Sequence, residues 1–157
     1  MDLLEISGLP LHPLIVHAVV VLLPLTACAL LLGTFVPAAR RRLGVVTPIA
    51  SLVVLALVPI TIAAGESLKE VVGALPSVQH HEMLGRMLPP WAIALFIVAA
   101  AQWAWFRFRP RPANRQATKG DRATVVVFAV AATVVAVGST VMVILIGEAG
   151  ARAVWGG

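Results

Sequence analysis

The side chains best suited to metal or cofactor chemistry in this sequence are four histidines and a few carboxylates. His12 and His17 lie in "LPLHPLIVHAVVVLLPL", where a long apolar segment begins, and His80 and His81 lie in "QHHEMLGR", just ahead of another. Glu66 follows Gly65 and Glu148 follows Gly147, each at the far end of an apolar block. Two imidazoles from different helices suit the axial positions of haem b. Imidazole combined with carboxylate suits Zn²⁺, Fe²⁺ or Mn²⁺ instead. The residue types leave haem and a bare divalent ion open: His17, His81, His80 and His12 are the candidates for haem, and His17, His81, Glu66 and Glu148 for an ion.

Helical geometry ranks these residues. Five positions apart, His12 and His17 are rotated by about 140° on a helix and cannot both face one centre. Pro13 is favoured at a first helical position, which makes His12 a boundary residue. His17 then lies about a turn inside and is the stronger candidate, since an ionisable group in lipid is costly without a role. His80 and His81 are rotated by about 100°. His81 is preferred because "HEMLGR" then opens the helix with Glu82 in its first turn.

Four segments must position these groups. Leu14 to Val36, Leu43 to Gly65, Met87 to Phe106 and Ala123 to Gly147 contain no Asp, Glu, Lys or Arg. Each reaches the roughly 20 residues that cross a hydrocarbon core about 30 Å thick. Hydrophobic residues make up 60% of the chain and charged residues 12%, against about 25% charged in an ordinary globular domain. A soluble protein with four such runs would have no amphipathic helix left to shield them. The expected fold class is all-α: a polytopic membrane protein, one bundle of four transmembrane helices in two hairpins. Helices are expected at about 12–36, 44–66, 79–108 with a kink at Pro89 and Pro90, and 122–147, with cytoplasmic loops at 37–43 and 109–121. The acidic start "MDLLEISG" is unlike a signal peptide, which begins with positive charge. Cys28 lies mid-membrane, excludes an intrachain disulfide framework, and reads as a small packing residue.

Nine of the twelve Lys and Arg lie at the two expected cytoplasmic turns, including Arg40, Arg41, Arg42, Arg107 and Arg109. This is the positive-inside pattern, and attraction to anionic head groups accounts for the same clusters. It places both termini outside. No aromatic interleaving or known module supports nucleic-acid binding. All four histidines and six of seven acidic residues then fall at the outer end, with Asp121 alone inside. "AAGESLKEVVG" and "LIGEAGARAVWGG" resemble each other in a Gly-Glu register, so each hairpin runs from histidine through a basic turn to Gly-Glu. Such a repeat is parallel, its pseudo-axis along the membrane normal. The stretch "RPRPANRQATKGDR" reads as a polar, Pro-containing and poorly ordered linker.

The His-Pro-x-x-x-His opening, "HEMLG", and the terminal Gly-x-x-Gly-x-x-x-Val-Trp-Gly of "LIGEAGARAVWGG" resemble the bacterial membrane family called domain of unknown function 2231, over essentially the whole chain. The resemblance implies a small four-helix domain of the bacterial plasma (inner) membrane, sometimes joined to redox modules such as Rieske iron–sulfur domains. One departure is Glu148, where many members carry His. The resulting expectation is a redox or electron-transfer subunit, or a metal-binding one, with a haem b or metal site at the outer face and a redox partner protein there. Small residues on several helices would allow a homo-oligomer. The alternatives are a structural or assembly subunit whose histidines bond loop carbonyls, and a small transporter component. Transport is disfavoured because the polar groups gather at one end. No Gly-rich phosphate loop, Cys-x-x-Cys or nucleophile elbow points to a stand-alone enzyme.

Overall fold

The structure, a computed structural model, describes residues 5–6, 9–73, 75–109 and 118–155. Among these described residues the fold is helical apart from a two-residue antiparallel pairing of β1 (Glu5–Ile6) with β2 (Leu9–Pro10). Six helices follow: α1 (Leu11–Phe35), α2 (Pro37–Leu43), α3 (Val46–Val72), α4 (Pro76–Gly85), α5 (Leu88–Phe108) and α6 (Lys119–Trp155). Four spans are long and apolar enough to cross a membrane: α1, α3, α4 with α5, and α6. Successive spans run antiparallel. α1 packs on α3 and α6, α5 packs on the same two, and α1 and α5 form the sparse diagonal of the square.

The inside of this square is built from small or slender side chains. Leu23, Leu30, Val54, Val58 and Leu95 are enclosed together with Ala92, Ala132, Ser51 and Ser139. Large apolar residues on the outside, such as Leu25, Val126 and Ile144, are exposed. Small residues let membrane helices approach closely, while lipid solvates the bulky ones. Cys28 belongs to the outer set; it faces away from the core, contrary to the packing role expected of it.

Helix ends follow local chemistry, and several differ from the expected bounds. Proline drives its predecessor towards extended backbone. Val36, ahead of Pro37, has φ −115° and ψ 104° and separates α1 from α2. The expected loop at 37–43 is thus a short helix. Arg40 reaches back from it to donate to the carbonyls of Gly33 (2.6 Å) and Thr34 (2.5 Å), closing the last turn of α1. The third span breaks at Arg86 and Met87, not at Pro89 and Pro90, which sit in the first turn of α5. There a missing N–H costs nothing, because that N–H has no intrahelical partner. α3 continues to Val72 and stops at Gly73, whose φ of 87° favours glycine. α6 passes Gly147 without a break, since Ala149, Ala151 and Ala153 favour helix. Its 37 residues span roughly 55 Å at 1.5 Å per residue, well beyond a hydrocarbon core. Of the expected linker, residues 110–117 lie outside the described residues.

Burial reveals a duplication that fixes the repeat's register. Val19, Leu23, Thr26, Leu30 and Gly33 are buried on α1; sixty-nine positions on, Leu88, Ala92, Leu95, Ala99 and Gln102 are buried on α5. The same shift carries His12 to His81. Thr47, Ser51, Val54, Val58 and Ala64 are buried on α3; eighty-five positions on, Ala132, Ala136, Ser139, Val143 and Ala149 are buried on α6. The second shift carries Ala64-Gly65 to Ala149-Gly150, three residues beyond the Gly147-Glu148 match read from the sequence. The two hairpins thus bury matching positions along both pairs of helices.

Candidate histidine site

The two amino-terminal histidine-bearing turns make the same contacts. His12, at the start of α1, donates from Nδ1 to the carbonyl of Thr61 on α3 at 3.0 Å. His81, on α4, donates from Nδ1 to the carbonyl of Ile146 on α6 at 3.0 Å. Thr61 and Ile146 are equivalent under the hairpin duplication. Four residues beyond each acceptor stands a glycine that leaves room for the ring. A Cβ on Gly65 would lie 2.9 Å from His12 Cε1, and one on Gly150 would lie 3.1 Å from His81 Cε1. Gly147, the other candidate for the repeat, has nothing within 4 Å of such a Cβ. Each hairpin therefore docks its own histidine across its two helices onto an Ala-Gly step.

The two rings then meet. Their centres are 6.2 Å apart and their planes cross at 85°. A carbonyl only accepts, so each Nδ1 carries a proton, and in the neutral tautomer this leaves the lone pair on Nε2. A backbone carbonyl on one ring nitrogen is the usual way of orienting the other as a ligand. At the opposite end, another equivalent pair comes close: a Cβ on Gly33 would lie 3.6 Å from Gln102 Oε1, and Gln102 Nε2 donates to Thr34 Oγ1 at 2.7 Å. A pseudo-twofold axis thus runs the length of the bundle, with His12 and His81 about it at one end and Gly33 and Gln102 at the other.

The remaining expected site residues have other surroundings. His17 is exposed, and its Nδ1 donates to the Pro13 carbonyl of its own helix at 2.5 Å. His80 is exposed. The histidine that meets His81 is His12, not the more deeply placed His17. The carboxylates face cations. Glu66 pairs with Arg86 at 2.8 Å, and Arg86 also pairs with Glu82 at 2.9 Å. Lys69 on α3 completes the chain to Glu82 at 2.5 Å. Glu148 pairs with Arg152 one turn on in α6 at 2.5 Å. Among the described residues no three of His, Cys, Asp and Glu come together as an ion cluster. Sequence reasoning missed Gly65 and Gly150 as docking surfaces. The Ala-Gly step repeated at 64–65 and 149–150 was the available signal.

A four-span α-helical membrane bundle with a duplicated histidine contact is the class these features define. The chain belongs to the DUF2231 family of predicted membrane proteins, whose model matches residues 8–157. No curated protein and no solved structure matches.

Proposed function

We propose that His12 and His81 would hold a haem b, and that the protein is an electron-transfer subunit of a membrane redox chain. The observation that supports this most is the paired geometry: one imidazole from each hairpin, both held through Nδ1, with ring centres 6.2 Å apart. Rings this close, with Nδ1 used in each, would let one group be held between them. Haem brings four nitrogens of its own and asks two of the protein. A bare divalent ion asks for three or four, and Glu66, Glu82 and Glu148 are engaged with Lys69, Arg86 and Arg152. The donor set therefore favours haem over a bare ion. Such a group would pass single electrons between ferric and ferrous states. The chain's part is to orient the rings through the Thr61 and Ile146 carbonyls and to keep the glycine steps clear beside them.

The arginine-rich turns argue for the bacterial plasma membrane with the histidine end and both termini outside, which puts the redox partner at the outer face. A structural reading draws on the same bonds: each histidine ties the two helices of its hairpin together. Purification in mild detergent from haem-replete cells, followed by reduced-minus-oxidised absorption spectra and metal analysis, separates the two. The haem reading predicts a b-type spectrum. A colourless, metal-free protein whose melting temperature falls in His12→Ala and His81→Ala would replace it with the structural reading.

A further inference from the structure

The end of the bundle opposite the histidines holds a cleft of about 250 Å³ between the last turn of α1, α2, the first turn of α3 and the end of α5. Its inner end is polar, formed by the buried Gln102 beside Gly33. Trp103 and Phe106 give it an apolar wall. Arg40, Arg41 and Arg107 line it as well. Arg40 is anchored by the Gly33 and Thr34 carbonyls and lies 3.6 Å over the Phe106 ring, so its charge is held at the wall. Thr47 and Pro48 bring the positive end of the α3 dipole to the same opening. Among the described residues the one carboxylate at this end is Asp121, which pairs with Arg109. The described carboxylates Glu66, Glu70, Glu82 and Glu148 lie towards the histidine end.

We infer that this cleft is a binding site for the phosphodiester head group of an anionic phospholipid. Arg40, Arg41 and Arg107 line a cleft that has a polar inner end, an apolar wall and no acidic residue in its lining. The pocket sits at the end of the membrane spans, where head groups lie, and its Trp103–Phe106 wall suits the glycerol and upper acyl carbons. Basic pockets between membrane helices recognise anionic head groups in this way. The position of the cleft at the end of the membrane spans favours a lipid over a soluble phosphate compound. The site is independent of the histidine pair and of any cofactor there.

The test uses the full chain in a zwitterionic detergent, titrated with short-chain phosphatidylglycerol, with short-chain phosphatidylcholine and with inorganic phosphate, and read by thermal shift and native mass spectrometry. Phosphatidylglycerol should bind and raise the melting temperature, and the other two should not. Arg41→Gln and Arg107→Gln should each weaken binding about fivefold, and the double variant roughly thirtyfold. Arg42→Gln, an exposed arginine of the same turn outside the cleft lining, should change it less than twofold. Equal loss in Arg42→Gln and Arg41→Gln would overturn the site in favour of general surface attraction. Equal protection by inorganic phosphate would overturn the lipid as its occupant.

Discussion

At the scale of single residues, the site depends on two glycines more than on its carboxylates. Gly65 and Gly150 are where the rings pack against a helix, and a methyl group there would crowd His12 at 2.9 Å or His81 at 3.1 Å. Gly150→Ala obliges the His81 ring to give by a few tenths of an ångström and should be less stable than Gly147→Ala by about 1 kcal/mol. Gly147→Ala, which meets nothing within 4 Å, should be neutral or stabilise by about 0.5–1 kcal/mol through helix propensity. Thermal or denaturant unfolding in detergent measures both. The opposite order would restore the Gly-Glu register and undo the duplication described above. The sequence overstates His17 for a physical reason. Depth along an apolar run says how costly a polar group is, but not which way it points. His17 meets that cost with a bond to its own helix, whereas the boundary residue His12 reaches across to α3.

At the scale of elements, the spans were legible because an apolar run of membrane length is seldom anything but a membrane span. Their ends were not, since charge-free blocks mark where lipid contact stops and not where helices stop. α6 therefore outruns its apolar block, and α2 arises inside an expected loop. Two contacts between elements carry testable consequences. Trp91, in the first turns of α5, lies where a side chain at Gly138 of α6 would be, so that a Cβ there would overlap the indole ring. Gly138→Ala should cost about 1–3 kcal/mol. Trp91→Ala should remove most of that cost when the two are combined, so a double-mutant cycle in chemical denaturant should show strong coupling; additive effects would contradict the contact. Arg40 closes α1 and holds α2 beneath it. Arg40→Met keeps most of the stem and loses the charged bonds, worth about 1.5–3 kcal/mol in typical cases. Hydrogen exchange in residues 33–43 should rise in that variant while the middle of α3 stays protected.

At the scale of the whole molecule, the two hairpins bury matching positions about an axis along the bundle. The sequence showed this faintly, through two short Gly-Glu phrases. The buried positions show it over every span, because duplicated packing outlasts duplicated letters: Leu23 matches Ala92 and Val54 matches Ser139, with burial retained while the residue type changes. The ion pairs do not follow the duplication. Lys69, Glu82, Arg86 and Glu66 link the hairpins on one side, and Glu148 with Arg152 stays within α6. These pairs are partly or largely exposed, and neutralising any one should leave the melting temperature nearly unchanged, whereas disturbing the paired axis residues should disable the site. The most direct test of that claim is the reduced-minus-oxidised spectrum of the purified protein beside its His12→Ala, His81→Ala and His17→Ala variants. A b-type signal that survives in His17→Ala and disappears in both His12→Ala and His81→Ala is the predicted result. A signal that disappears in His17→Ala and persists without His12 would contradict it.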